Sequence, residues 1–350
     1  GSHALEVATP TVGYNIAIGF EAGKAVTTGA ENTILGGFAG DAITTGGRNT
    51  VLGMNALSNE DTGGRNTAIG WYALHAQDTG LDAYNTAVGY FAGGSISTGT
   101  QNTIIGSLAG DALTTGANNV AVGRSALSDE QAGGRNTAIG YAALLRQNTT
   151  GFAYNVAVGY NVGENITTGT QNTLVGGLAG DALTTGTRNV AIGYNALTNE
   201  DTTGRNVAIG WNALAIQNAN TDAFNVAVGY FAGAAITTGI YNVLLGGNAG
   251  SSINTGNDNV IIGLNAGDAL TSGSENIAIG QSALSTEDGH GRNVAIGHAA
   301  LQVQNAGADA YNVAVGYQAG LSVTTGIKNT IIGGLAGDAL TTGDENIAIG

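Results

Sequence analysis

An asparagine returns along this chain at a fixed interval, from Asn15 to Asn32, Asn49 and Asn66, and each time it opens the same phrase. The phrase is Asn, then Thr or an apolar residue, an apolar residue, an aliphatic and Gly: Asn15-Ile-Ala-Ile-Gly19, Asn32-Thr-Ile-Leu-Gly36, Asn49-Thr-Val-Leu-Gly53, Asn66-Thr-Ala-Ile-Gly70, and so on to Asn346-Ile-Ala-Ile-Gly350. A regular period of this size makes the chain a stack of equal units. The interval is seventeen residues three times and then nineteen, so four coils, Asn15 to Asn85, form a super-repeat. One extra coil of the shorter kind interrupts the pattern between Asn242 and Asn276. Residues 1–13 read as a tag remnant (Gly1-Ser2-His3) and lead-in, and 14–350 as one array of about 20 coils. Gly350 closes a repeat phrase, so the chain reads as a segment of something longer.

Seventeen residues cannot hold two helices and a turn, which excludes the helical repeats. The Val, Ile and Thr of the phrase, bounded by Asn and Gly, predict a short strand. Gly19, Gly36, Gly53 and Gly70 supply corners with positive φ. Asn15, Asn32, Asn49 and Asn66 suit corners because the side-chain amide bonds nearby backbone, and in register such amides can bond along the stack. A second strand is expected through the Ala seven residues after each Asn. The prediction is an all-β parallel β-solenoid with one coil per repeat. Its coils should be spaced by about 4.8 Å, giving a stack of roughly 95 Å.

The residue two places after each Asn is apolar everywhere, as at Ala17, Ile34, Val51, Ala68, Ala87 and Ile104. The third is always aliphatic. A strand with one face on water alternates apolar and polar, and this one does not. Both faces therefore read as buried, and the stripe of small residues is assigned to close approach between chains in a parallel homo-oligomer. Three chains is the number chosen, although the pattern itself leaves it open.

Asn-Val-Ala-Ile-Gly, at Asn189 to Gly193, Asn206 to Gly210 and Asn293 to Gly297, resembles the repeat of trimeric autotransporter adhesin heads. Asn136-Thr-Ala-Ile-Gly-Tyr141 is similar to repeats of phage tail fibres and bacterial surface fibres. The resemblance runs from about Tyr14 onward. It implies a left-handed β-roll packed as a homotrimer, an extracellular, bacterial-surface or virion location, and attachment to surfaces. The coil is longer than is typical of those heads, which leaves handedness and strand count open.

Several function classes are disfavoured. The net charge of −15 opposes nucleic-acid binding. Cysteine is absent, which removes disulfides and thiolate metal sites. No apolar run approaches the roughly 20 residues that span a bilayer. Beyond the tag-like His3, the histidines His75, His290 and His298 fall in no catalytic motif, so no catalytic residue, metal or cofactor is assigned. The acidic pairs Glu60-Asp61, Asp129-Glu130, Glu200-Asp201 and Glu287-Asp288 precede Arg65, Arg135, Arg205 and Arg292, and are read as solvated corners with local ion pairs. Asp41, Asp111, Asp181, Asp268 and Asp338 are read likewise. Thr27-Thr28, Thr44-Thr45, Thr114-Thr115 and Thr184-Thr185 raise a monomeric or dimeric ice- or surface-binding solenoid as the alternative, but Asp61-Thr62 breaks that face.

Aromatics are the candidate ligand residues. Trp71, Tyr72, Tyr84 and Tyr90 bracket a two-residue insertion, and the neighbourhood returns at Tyr141 and at Trp211. Rings beside a loop can stack on sugars of a host-surface glycan, or contact a surface protein; the competing reading packs them at chain–chain seams. The partners expected are thus the chain itself and a host-surface glycan or protein. The function expected is a non-enzymatic adhesin stalk or head, or a tail-type fibre.

Overall fold

The computed structural model describes residues 2–8 and 13–350. Gly1 of the tag-like start and 9–12 of the lead-in lie outside the described residues. Contacts divide the chain into two compact units, Gly1–Asn172 and Thr173–Gly350. Each is a parallel β-solenoid. The first carries nine strands, from β1 (Ile16–Ile18) to β9 (Val156–Val158), and the second eleven, from β10 (Thr173–Val175) to β20 (Ile347–Ile349). Among the described residues there is no helix. Every strand has three residues and pairs in parallel with its neighbour within the unit, in register even across the longer interval, as Thr67↔Thr86 and Val207↔Val226 show. The extra two residues leave the ladder intact because they bulge from the loop.

Taking each Asn as position 0, the strand occupies +1 to +3 and the Gly at +4 turns the chain with φ near +140°, as at Gly19 (φ 146), Gly36 (φ 136), Gly53 (φ 141) and Gly70 (φ 136). Residues at −1, +6 and +8 also take left-handed φ, for example Arg48 (φ 62), Asn55 (φ 55) and Leu57 (φ 47). Bulky residues rarely sit there. Their amides are committed to the adjacent coil, Arg48 N donating to Ala30 O at 2.9 Å and Leu57 N to Ala73 O at 2.9 Å. These turns also explain why the expected second strand is absent: the +7 Ala is buried within a run of turns.

The asparagines are interior. From Asn32 to Asn329 each is at most 1% exposed. In the first unit each Asn Oδ1 accepts the backbone N–H of the next Asn, at 2.9 Å from Asn32 to Asn15, 2.9 Å from Asn119 to Asn102 and 3.1 Å from Asn155 to Asn136. The second unit continues the pattern, at 2.8 Å from Asn242 to Asn225 and 3.0 Å from Asn276 to Asn259. The amide nitrogen reaches the carbonyl near the end of its own coil, Asn32 to Gly46 at 3.0 Å and Asn102 to Gly116 at 2.9 Å. Direct amide-to-amide bonds along the stack are fewer, as Asn259 to Asn242 at 3.0 Å. In the seventeen-residue coils the Asn thus ties the start of the coil to its end, where the chain steps to the next.

The face assignment made from the strand pattern is reversed. Ile34, Val51, Ala68, Ala87 and Ile104 are fully buried within the lone chain, and Ala17, in the first complete coil, is half-buried. The middle residue of a three-residue strand points into the coil, so this stripe is the solenoid core and its frequent Ala fits a narrow interior. Positions +1 and +3 face outward and are half-buried, as Val190 and Ile192.

The rest of the core obeys a volume exchange. Coils with Gly at +8 carry an aliphatic at +11, as Gly40 with Ile43, Gly110 with Leu113 and Gly267 with Leu270; a Cβ on Gly40 would lie 2.8 Å from Ile43 Cδ1. Coils with Leu at +8, as Leu57 and Leu74, carry Glu60 or Gln77 at +11, and all four are buried. The inserted coil at β15 (Val260–Ile262) follows the rule too, because packing is decided coil by coil.

Residues 2–8 form a partial coil laid on the first complete one. Leu5 N donates to Ala22 O and Glu21 N to Ser2 O, each at 3.1 Å. His3 (φ 61) and Leu5 (φ 51) repeat the left-handed turns of Glu21 (φ 55) and Gly23 (φ 58).

Replacing Asn119 by Ala leaves the buried Asn136 N–H and Gly133 carbonyl without partners. It is expected to cost about 2–5 kcal/mol, read by urea denaturation. Gly40→Leu alone is expected to destabilise by about 1–3 kcal/mol through overpacking. Combined with Ile43→Ala it recovers part of that loss, so a double-mutant cycle on the same denaturation curves returns a favourable coupling of about 1–3 kcal/mol; additivity of the two changes would refute the exchange.

Candidate functional site

Because each coil repeats in register, equal positions of successive coils lie against one another, and outward side chains form ladders. At +5 the ladder is aromatic around every insertion. Trp71 stacks on Tyr90 with centroids 4.9 Å apart and planes 7° apart, Tyr141 on Tyr160 at 5.4 Å, Trp211 on Tyr230 at 5.2 Å and His298 on Tyr317 at 5.3 Å. Position +6 adds Tyr72, 4.0 Å from Trp71, and Phe231, 4.7 Å from Trp211. Trp71 and Trp211 each keep 41% exposure and Tyr90 52%. Beside the second cluster lies an open apolar depression of about 480 Å³ lined by Ile216, Tyr230, Phe231, Ala234 and Ala235.

Tyr84, grouped with these rings by the sequence reading, belongs to a different ladder. It sits at −1, where Arg65 lies 5.2 Å over its ring and donates to its hydroxyl. Arg135 with Tyr154 and Arg292 with Tyr311 repeat the arrangement, and Arg205 lies 5.2 Å over the Phe224 ring, which has no hydroxyl to accept. The structure therefore brings Trp71, Tyr72 and Tyr90 together, sets Tyr84 apart, and gives Tyr141 and Trp211 partners of their own.

These arginines do not neutralise the acidic pairs as the sequence suggested. Arg65 pairs with Asp82 at 2.9 Å, Arg205 with Asp222, and Arg292 with Glu275 at 3.2 Å and Asp309 at 2.8 Å. Nor are the pairs wholly solvated. Glu60, Glu130, Glu200 and Glu287, always at +11, are fully buried. Glu60 accepts from Gly63 N at 2.7 Å, from Gln77 Nε2 at 2.9 Å, and from Thr79 N and Oγ1 at 3.3 Å. Gln77 in turn accepts from Asn85 at 2.8 Å. The chain Glu130–Gln147–Asn155 repeats it at 3.0 and 2.9 Å. A buried acid thus clamps the loop that carries the insertion beside the aromatic stack. The signal was present in the register, since Glu60 and Gln77 fall one and two coil lengths after the core residue Ile43.

Burial pushes the Glu200 carboxyl above the ordinary carboxylate range, moderated by bonds from Thr203, and burial raises Asp41, Asp111 and Asp268 too. Asp41, Ser58 and His75 occupy position +9 of three successive coils. Ser58 Oγ lies 2.6 Å from His75 Nδ1. The serine stands between acid and imidazole, whereas a nucleophilic triad needs the imidazole in the middle.

No family model, curated protein or solved structure matches this chain. No helix among the described residues is long and apolar enough to cross a membrane.

A carboxyl whose folded pKa is raised holds its proton more tightly folded than unfolded. Its favourable contribution is complete below the unfolded value of about 4.3 and is lost as pH rises through the folded value. Glu200→Gln is therefore expected to raise the melting temperature at pH 7 and to flatten the fall in stability above pH 4, measured by thermal melts across that range.

Proposed function

We propose that this chain is a non-enzymatic fibrous attachment protein of a bacterial surface or a virion, a left-handed roll whose copies pack side by side as a parallel homotrimer. The observation that carries the reading is the outward sheet face. From Val190 to Val315, eight consecutive coils present only Val, Ile or Leu at +1 and +3, all half-buried in the lone chain. A continuous aliphatic face of this kind marks an interaction surface. Identical parallel coils offer it a partner in register, which closed symmetry supplies without leaving an open face.

The aromatic ladders at +5 form the contact surface for a host glycan or protein. Stacked, half-exposed rings present flat apolar faces with polar edges, which suit sugar rings. The ice-binding alternative fits less well. Thr27, Thr44, Thr114 and Thr184 donate their hydroxyls to carbonyls of the next coil at 3.0–3.1 Å, and Asp61 and Asp78 interrupt the face.

Sedimentation equilibrium is expected to give three times the chain mass of 34.6 kDa. Ile209→Glu with Ile262→Glu is expected to yield a folded monomer, and a wild-type chain that is itself a folded monomer would sink the packing. On a glycan array, Trp71→Ala with Trp211→Ala is expected to lose binding while keeping the oligomer; loss of the oligomer with binding retained would return these rings to a chain–chain seam.

A further inference from the structure

The four buried glutamates at +11 occupy equivalent places but have different partners. Three have donors from position +14: Gly63 N on Glu60 at 2.7 Å, Gly133 N on Glu130 at 2.7 Å, and Thr203 N and Oγ1 on Glu200 at 3.2 and 2.5 Å. Glu60 and Glu130 also accept from Gln77 and Gln147. Glu287 is the exception. It is fully buried, and neither carboxylate oxygen has a hydrogen-bond partner. Burial pushes its pKa up, opposed first by the nearby charge of His290 and then by the backbone amides of His290 and Ala306. A buried carboxylate left this way is strongly destabilising unless something else compensates it.

Position +14 in this coil is His290. Its Nδ1 is also buried without a hydrogen-bond partner, and lies 3.6 Å from Glu287 Oε1. That separation is too long for a hydrogen bond. It is close to the roughly 3.4 Å between two ligands held 2.0–2.1 Å from one tetrahedral zinc. Exposed Asp288 completes the group, with one ligand atom from each of the three residues within 4.8 Å of the others. The acidic group Glu60, Asp61 and Asp78 has a similar spread but no imidazole, and Glu60 is already saturated by its own donors.

We propose that Glu287, Asp288 and His290 form a zinc site, one per chain, found in the last complete super-repeat only. The ligands are a buried carboxylate from inside the coil, an imidazole nitrogen at the corner, and an outer carboxylate, with the fourth position open to water on the Asp288 side. One nitrogen with two carboxylates favours zinc over calcium or magnesium, which take oxygen ligands. The ion supplies a fixed positive charge at Glu287, where the corner otherwise offers only His290, charged when it is protonated. This proposal does not depend on the adhesive reading.

Zinc chloride titrated into the intact chain by calorimetry, with calcium chloride in parallel, tests it. The expected result is one zinc per chain, no comparable calcium heat, and a higher melting temperature with zinc. His290→Gly restores the residue found at Gly63 and Gly133, so it is expected to keep the zinc-free melting curve while abolishing the zinc heat and the zinc-induced shift. Glu287→Gln is expected to lose the zinc heat as well. Absence of zinc binding by the wild-type chain, equal binding of calcium, or unchanged zinc binding in His290→Gly would each overturn the site.

Discussion

The structure depends on one side chain per coil that is polar, buried and hydrogen-bonded to the coil that follows. An interior amide is costly unless its donors and acceptor are met. Each Asn meets that demand by accepting the next coil's N–H and, in most coils, by donating to the carbonyl where its own coil ends. Those bonds fix the height of the step and the point at which it is taken. With the step fixed, a strand of three residues is enough to hold register, because every coil is indexed by the coil before it. The left-handed turns at −1, +6 and +8 follow from the same closure, since a path this short returns to its start only through sharp corners.

The longer interval tests this arrangement, because two extra residues move the carbonyl that the amide would reach. At Asn66, Asn136 and Asn206, which head three of the four coils that carry the insertion, the amide nitrogen has no partner, and in the fourth Asn293 donates to Gly291 O at 3.4 Å. Compensation comes from position +11. Gln77, Gln147 and Gln217 accept from the Asn of the following coil at 2.8, 2.9 and 3.0 Å. In the first two super-repeats the buried Glu below holds the Gln in turn. Core volume is kept because Leu at +8 fills the space that an aliphatic at +11 fills elsewhere. Polar and apolar parts of the core are thus exchanged together, and an insertion that would break the stack becomes a bulge beside it.

Much of this was legible in the sequence. The period implied the solenoid, and the phrase Asn15 to Gly19 located both strand and corner, because local chemistry at those positions leaves few conformations open. The faces were misread because a three-residue strand has too few positions for alternation to show. Ala68 and Ala87 looked like a seam between chains, yet they are small because the interior of one coil is narrow. The second strand was misplaced because the turns at +6 and +8 carry Asn55, Tyr72 and Leu74, residues that do not announce left-handed φ. The buried acids were missed because Glu60 and Asp129 are the leading residues of their pairs but not equivalent positions; only counting from Asn aligns Glu60 with Glu130.

Counting from Asn also separates what the fold requires from what it leaves free. Positions 0, +4 and +7 are nearly uniform and +2 is always apolar, because closure and a narrow core constrain them. Positions −1, +5 and +14 vary in charge and size, and the strand register does not change where they do. At +14 the residue is Gly63, Gly133, Thr203 or His290 in otherwise similar coils. A backbone indexed by its own interior amides can therefore carry a stacked aromatic pair or an imidazole on one coil without altering its neighbours. Chemistry in this protein is accordingly local to a coil, and its differences are to be read across equivalent coils, with the common members serving as the reference for the exceptional one.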